Sequence, residues 1–579
     1  TTNPDPEAVE LIAAAFGFTN GPSLAGGSDF AFGGACVQAN SATFTCGLSP
    51  GAFSITSQLT NADPNAGPLG YLALNGGKAD PNALYTMLGG ANDIFTYAGL
   101  AGAGFITPQQ AVGGTVVAAR TEAGLIDLLH TAGANNVVVI NLPDIGKTPE
   151  FLGTAGQASI TGLVLTFNGQ LNAAMAGKNG IIPVDAFGLV NEVLANPGAY
   201  GFSDVTHPAC GPVIPQLTSV DCGPVGSPDD FHYAPGTNMS FFFADGVHPT
   251  GAAQALLAES VIQEIEAPSF VSMLAETPLQ TFETLTRGVH NEMQAGTSNR
   301  ADGSLRTYAS IDYSRQRYDA TNTSPSLASD NSSLILGADY LVNNEFSLGT
   351  SEIFSHQSAT FGGGGGFQNN EPMISAFGVW HTPDMYVSLL GSVGQLNLNG
   401  IHRVIQLGTM TRTESGSTSG SHTGVELAGG YFFHWDDFKT GPFASISHQR
   451  VRVGSYNENG NDSTAMVFGR QERSSTISKL GWELSGDSKM FDSNLHPFAR
   501  VAWEHEGENS VRDVSAGLVG LNGTFSMPGF QPDSSWWSGE LGVAAELGSN
   551  FSAYGAYAGQ FGNSNVRVDS FNLGLKWTW

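Results

Sequence analysis

The last nine residues, "FNLGLKWTW" (571–579), put Phe571, Leu573, Leu575, Trp577 and Trp579 on one side of an extended chain and Asn572, Gly574, Lys576 and Thr578 on the other. Successive side chains of a strand point to opposite faces, so this period of two reads as a strand with one apolar and one polar face. The same alternation runs through "RTYASIDYSRQRYD" (306–319), "SLILGADYLV" (333–342) and "LHPFARVAWEHE" (495–506). From about residue 304 onward it recurs in about twelve segments of roughly ten to fifteen residues, the length a tilted strand needs to cross a bilayer. Strands of a soluble β-sandwich average about half that length.

The connections between these segments sharpen the reading. "NNE" (343–345), "TPD" (382–384), "WDD" (435–437) and "GSN" (548–550) are short, whereas long polar loops are predicted at "GGGGGFQNNEP" (362–372) and around "DVSAGLVGLNG" (513–523). Short turns on one side and long loops on the other are how transmembrane barrels are built, with aromatic girdles at the interfaces. Phe346, Tyr386, Phe438 and Phe551, just past the short turns, fit such a girdle. Arg315, Arg317, Arg500 and Glu504 are expected to face a watery lumen. On the lipid face each base would cost roughly 2–4 kcal/mol at mid-membrane.

The rest of the 579-residue chain is composed differently. Of its 22 Lys and Arg, only Lys78, Arg120, Lys147 and Lys178 precede residue 266, which marks two unlike halves. The formal charge of −29 disfavours nucleic acid as a partner, because phosphate binding needs clustered bases. No run of about 18 apolar residues reads as a membrane helix. The four cysteines form two sequence-local pairs, 36 with 46 and 210 with 222, which imply an oxidising compartment if both bridge. Neither pair has the ligand spacing of a zinc site, and no metal or cofactor is implied. His207 and His232, beside the second pair, read as incidental to a bridged loop.

In the first half, "NALYTMLGGAND" (82–93) reads as a strand running into a Gly turn. "AVGGTVVAARTEAGLIDLLHTAGA" (111–134) has helical period, and "NNVVVINLPDIG" (135–146) is a β-branched buried strand. Strand, helix and strand in that order predict an α/β fold, a parallel sheet flanked by helices with its site at the carboxyl ends of the strands. At "FADGVHPTG" (243–251), Asp245 stands three positions before His248 across a turn that precedes a helix. That spacing lets a carboxylate hold one ring nitrogen of a histidine while the other moves a proton. Asp144 reads as a turn carboxylate.

Three of these stretches, taken together and in order, resemble the GDSL (SGNH) serine hydrolases, and especially their autotransporter esterases. "GGSDFAFGGA" (26–35) is similar to the family's second block, "GGANDIF" (89–95) to its third and "DGVHPTG" (245–251) to its fifth. The resemblance implies a carboxylic-ester hydrolase acting on acyl esters, displayed at the bacterial surface by an outer-membrane barrel. Asp245 and His248 would be catalytic, with Gly33 and Asn92 as oxyanion-hole donors. It further implies contact with outer-membrane lipid, insertion by the barrel-assembly machinery and a monomeric state.

The expected organisation is residues 1–266 as the hydrolase-like passenger, 267–300 as a linker helix and 301–579 as the barrel. In the resembling autotransporters such a helix threads the pore. The family's first block, which carries the nucleophilic serine, has no counterpart near the start. The only "GDS" lies at 486–488, among the barrel strands, and Ser23 and Ser28 lack the strand-to-helix setting of an exposed nucleophile. The serine is therefore expected upstream of residue 1, since losing a whole strand would strip a buried sheet edge of its partners. The competing expectation is a catalytically inactive display or adhesion protein. A transport porin is disfavoured by the folded half that precedes the barrel.

Overall fold

The structure, a computed structural model, describes residues 1–579 apart from 42–43, 48–51, 62–69, 215–216, 295–300 and 491–492. The last six residues of the expected linker, 295–300, thus lie outside the described residues. Twelve long antiparallel strands form the second half: β4 (Leu305–Tyr318), β5 (Leu327–Asn343), β6 (Phe346–Phe361), β7 (Gly365–His381), β8 (Met385–Leu407), β9 (Met410–Tyr431), β10 (Phe438–Val453), β11 (Gln471–Gly486), β12 (Ser493–Glu506), β13 (Ser535–Glu546), β14 (Phe551–Phe561) and β15 (Val566–Thr578). Neighbours in sequence pair with each other, and β15 pairs back onto β4, with Trp577 opposite Thr307. The sheet is a closed barrel, which leaves no strand edge to water or lipid.

Two features differ from the sequence reading. The Gly-rich run at 362–372 is not a long loop: Gly364 and Gly365 take φ of 94° and 91°, turn the chain tightly and hand residues 365–372 to β7. Glycine alone enters that left-handed region without cost, which is why the run is a hairpin. The stretch at 513–523 contains a strand, Asp513–Leu518, in a small antiparallel sheet with Tyr456–Asn457, Met466–Phe468 and Phe525–Pro528. Its inward residues Val514, Ala516, Leu518 and Phe525 are buried.

Arg315 and Arg317 also depart from expectation. Arg500 and Glu504 point into the lumen, but strict alternation along β4 sets Arg315 and Arg317 on the outer face with Ile311 and Tyr313. Their tolerance there comes from position along the strand: both lie near its far end, above the apolar band.

The α/β half is built on a parallel sheet of β1 (Leu84–Met87), β2 (Asn136–Ile140) and β3 (Ile181–Val184), in that order. Val137 and Val139 face a core shared with α3 (Pro108–Ala132) and α4 (Gln157–Met175). Val138, Ile140, Ile182 and Val184 face the opposite core, with α1 (Ala8–Ala15) and α5 (Gly251–Ser272). A sheet buried on both faces needs β-branched residues at consecutive positions, as β2 shows.

That second core continues without a break into the barrel mouth, through Phe361, Phe367, Phe525 and Phe530. Backbone pairing reinforces it: the amide of Ile181 donates to the carbonyl of Thr524 at 2.9 Å, so a barrel loop extends the edge of β3. The tip of the β8–β9 hairpin reaches the same domain, where Thr409 Oγ1 donates to the Ala199 carbonyl at 2.8 Å and Arg412 pairs with Glu192.

Helix α5 runs through residue 266 to Ser272, and α6 (Leu279–Gln294) follows inside the barrel. Phe282, Leu285 and Val289 pack on Ile335, Ile353, Met373 and Phe377 of one lumen wall. The opposite side of α6 is held by ions: Lys479 Nζ lies 2.7 Å from Glu283, and Arg287 3.1 Å from Asp312. Gly424 on β9 makes room for the Phe282 ring, which would stand 2.4 Å from a Cβ placed there. Gly424→Val is therefore expected to cost about 1–3 kcal/mol through overpacking. The check is heat-dependent gel mobility of the barrel, with Thr423→Val, one residue along and outward-facing, expected to be near neutral.

Candidate active site

Strand Phe241–Phe243 leads directly into the Asp245–His248 turn, which is closed on both sides. The Ala244 amide donates to the His248 carbonyl at 2.8 Å, and Thr250 caps α5 through the Ala253 amide. Asp245 is buried, and its Oδ1 accepts from the amides of Val247 at 2.8 Å and His248 at 2.7 Å. Its Oδ2 lies 2.7 Å from His248 Nδ1. The ring itself is 56% exposed, so Nε2 is open to the surroundings. Burial pushes the Asp245 carboxyl up, but hydrogen bonds from the His248 ring and the two amides outweigh it and hold the group below its ordinary value. It stays an anion when the ring beside it gains a proton.

Asn92 sits in the first turn of α2 (Ala91–Gly102), just after Gly89 and Gly90. Gly90 takes φ of 97°, and the Phe167 ring would lie 2.3 Å from a Cβ there, so only glycine fits. The Asn92 amide donates to the Ala35 carbonyl at 2.9 Å, which joins the third sequence block to the second. Gly33 lies two residues before Ala35 in open space, with nothing within 4 Å of a Cβ built on it. The left-handed φ in this loop belongs to Gly34, at 77°. The Val37 amide donates to Asp93 at 2.8 Å, and the Cys36–Cys46 disulfide pins the same loop.

The two pairs are linked through one stretch. Phe95 of α2 stacks on Phe151 with ring centres 5.8 Å apart, and the Glu150 amide donates to the Gly246 carbonyl at 2.9 Å. Burial raises the Glu150 carboxyl, and the Asp245 charge adds to that. The second disulfide, Cys210–Cys222, braces the other flank, where the Cys210 amide donates to the Ala244 carbonyl at 3.2 Å. Residues 2 and 3 run alongside: Thr2 Oγ1 accepts from the Gly251 amide at 3.0 Å, and the Asn3 amide donates to the Cys222 carbonyl at 2.7 Å.

The other candidates fall outside this cluster. Exposed His207 pairs with Asp204, His232 with the Ser227 carbonyl, and buried Asp144 accepts from Thr161 Oγ1 at 2.6 Å as a turn carboxylate. Ser28 donates to Asn20, and Gly486–Ser488 joins the end of β11 to the short barrel strand Ser488–Met490.

The GDSL-like Lipase/Acylhydrolase family profile matches residues 3–261, and the Autotransporter beta-domain profile matches 307–558. An uncharacterised protein of the trpE–trpG intergenic region of Pseudomonas putida is 30% identical over 82% of this chain and 77% of its own length. The chain belongs to the GDSL autotransporter esterases. Esterase EstA of Pseudomonas aeruginosa is 28% identical over 87% of the chain and 77% of its own length. Lipase 1 of Photorhabdus luminescens is 23% identical over 98% and 90%. Among solved structures, the translocator domain of the autotransporter NalP from Neisseria meningitidis covers 54% of this chain and 98% of its own, at 12% identity and a TM-score of 0.43. Like its family, this GDSL autotransporter is an outer-membrane protein whose esterase/lipase domain is carried at the cell surface.

One buried group of this domain escaped the sequence reading. Glu122 of α3 is fully buried beneath Gly89, and neither carboxyl oxygen has a well-formed hydrogen bond among the described residues. Burial pushes it up to about 8, with the nearby Asp93 adding to the effect. Asp93 is itself raised to about 6 by burial, against hydrogen bonds from Val37 and Gln38. A carboxyl whose pKa is raised by folding keeps its proton in the native state while the unfolded chain loses one, so stability falls as pH rises from about 4.3 towards 8. Glu122→Gln should therefore melt close to the parent at pH 5 and several degrees above it at pH 9, as read by circular dichroism.

Proposed function

We propose that Asp245 and His248 are the acid and base of a serine ester hydrolase, and that Gly33 and Asn92 supply its oxyanion donors. The observation that carries the reading is the 2.7 Å contact between buried Asp245 and His248 Nδ1, with Nε2 left open to a substrate. In this reading His248 Nε2 takes the proton of a serine hydroxyl as it attacks the ester carbonyl, then returns it to the leaving alcohol. Asp245 fixes the ring's tautomer and stabilises the imidazolium. The negative charge that develops on the carbonyl oxygen meets donors already in place, the backbone amide of Gly33 and the second N–H of the Asn92 amide. The serine is that of the family's first block, and Thr2 and Asn3 run beside the Asp245–His248 turn.

The domain division follows the same reading: residues 1–266 hydrolyse, 267–300 connect and 301–579 anchor. The barrel closes on itself with every strand paired, which favours a monomer, and its insertion is assigned to the barrel-assembly machinery.

The test is hydrolysis of p-nitrophenyl butyrate by cells carrying the full-length gene. His248→Ala should abolish activity, and Asp245→Asn should lower kcat by about 10⁴ through loss of the correct tautomer. Asn92→Ala should lower kcat by about 10²–10³ with little change in KM. Equal activity in the parent and His248→Ala would remove the catalytic assignment and favour a binding or adhesion role for the displayed domain.

A further inference from the structure

The outward-facing arginines of the barrel are not scattered. At about 3.3 Å per residue and a tilt of about 40°, a strand climbs roughly 2.5 Å along the membrane normal per residue. On β10 the outer face reads Phe438, Thr440, Pro442, Ala444, Ile446, His448, Arg450 and Arg452, starting from a short-turn end. Phe438 and Ile446 are exposed, as are Leu480, Trp482 and Leu484 on the neighbouring strand. Arg450 therefore stands about 30 Å above Phe438, just beyond an apolar band about 25 Å tall. The short turns face the periplasm, so this level is the head-group layer of the outer leaflet.

Two clusters occupy that level, and charge balance separates them. Around β4 and β15, Arg315 pairs with Asp330 at 3.4 Å and Arg567 with Asp319 at 3.3 Å, while Asp569 lies opposite Arg315. The three outward bases there, Arg315, Arg317 and Arg567, face as many carboxylates. Around β10 and β11, two guanidiniums share one acid: Arg450 Nε lies 3.3 Å from Glu472 Oε1, and Arg452 Nε lies 2.8 Å from Oε2. Exposed Arg470 immediately precedes β11, two positions before Glu472. The terminal Nη groups of Arg450 and Arg452 have no partner among the described residues, and both side chains are about two-fifths exposed.

We propose that Arg450, Arg452 and Arg470 form a docking site for the phosphorylated head group of an outer-leaflet lipid. Glu472 accepts from Arg452 Nε and balances only one of the three charges, which leaves the Nη donors of Arg450 and Arg452 for a phosphate. The net positive charge is local in a chain of formal charge −29, so it is not a general attraction to anions. The acyl chains of a lipid seated there would lie along the exposed Ile446 and Leu480.

The experiment is native mass spectrometry of the full-length protein from detergent micelles containing diphosphoryl lipid A. The parent should retain the lipid, and Arg450→Gln/Arg452→Gln/Arg470→Gln should retain at least tenfold less, with unchanged heat-dependent gel mobility. Arg315→Gln/Arg317→Gln should match the parent, and Glu472→Gln, which frees both guanidiniums, should retain more. The parent should bind chemically dephosphorylated lipid A poorly, a comparison that needs no variant to fold. Equal retention of the phosphate-free lipid, equal retention by the triple variant or no retention by the parent would overturn the proposal. Displacement of the lipid by equimolar inorganic phosphate would also overturn it, by marking a free-anion site.

Discussion

Inside a bilayer no water is available to an unpaired backbone amide, and the closure of β15 onto β4 meets that constraint. Everything else in the molecule follows from it. Closure encloses a lumen, and a lumen lined by Arg287, Asp312, Lys479 and Glu504 must match each charge with an opposite one. Helix α6 does this on one side and buries Phe282, Leu285 and Val289 on the other, so it is fixed in rotation as well as in depth. With α6 fixed, α5 emerges at the mouth in a set direction and carries the α/β sheet with it.

The consequence is that the hydrolase domain is seated on the barrel and not merely tethered to it. Val138, Ile140, Ile182 and Val184 share their core with the barrel's loop sheet, and the edge of β3 donates a hydrogen bond to the Thr524 carbonyl. An isolated domain would expose that core face and leave that edge unpaired. The candidate site rests on turns closed by a few backbone bonds and braced by two disulfides. Buried Asp245 stays charged because three donors and the charge of the His248 ring act on it, whereas Glu122, more completely buried and beside the Asp93 charge, is raised. Donors and neighbouring charge, together with burial, separate the two carboxyls.

Much of this was legible in the chain. The period of two and the short turns "NNE", "TPD", "WDD" and "GSN" fall where strand pairs end, because alternation is a local property of a one-sided surface. The Asp245–His248 pair was legible because its geometry is set within one turn. Arg315 and Arg317 were misread because lumen and lipid face alternate identically at the far end of a strand, and only height above the apolar band distinguishes an acceptable outward base. The Gly run at 362–372 was read by composition as a loop, although two left-handed glycines suffice for a hairpin. Glu122 gave no signal, since a lone Glu in a helix is normally solvated.

By itself, then, the sequence determined the two architectures and the chemistry of one turn, because periodicity, turn residues and short-range pairs act over a few positions. Only the tertiary structure decided which charges face water, lumen or lipid, how Asn92 meets the Ala35 carbonyl, and where the sheet meets the barrel. Those depend on residues far apart in the chain, such as Ile181 and Thr524 or Lys479 and Glu283, and no local pattern encodes their meeting.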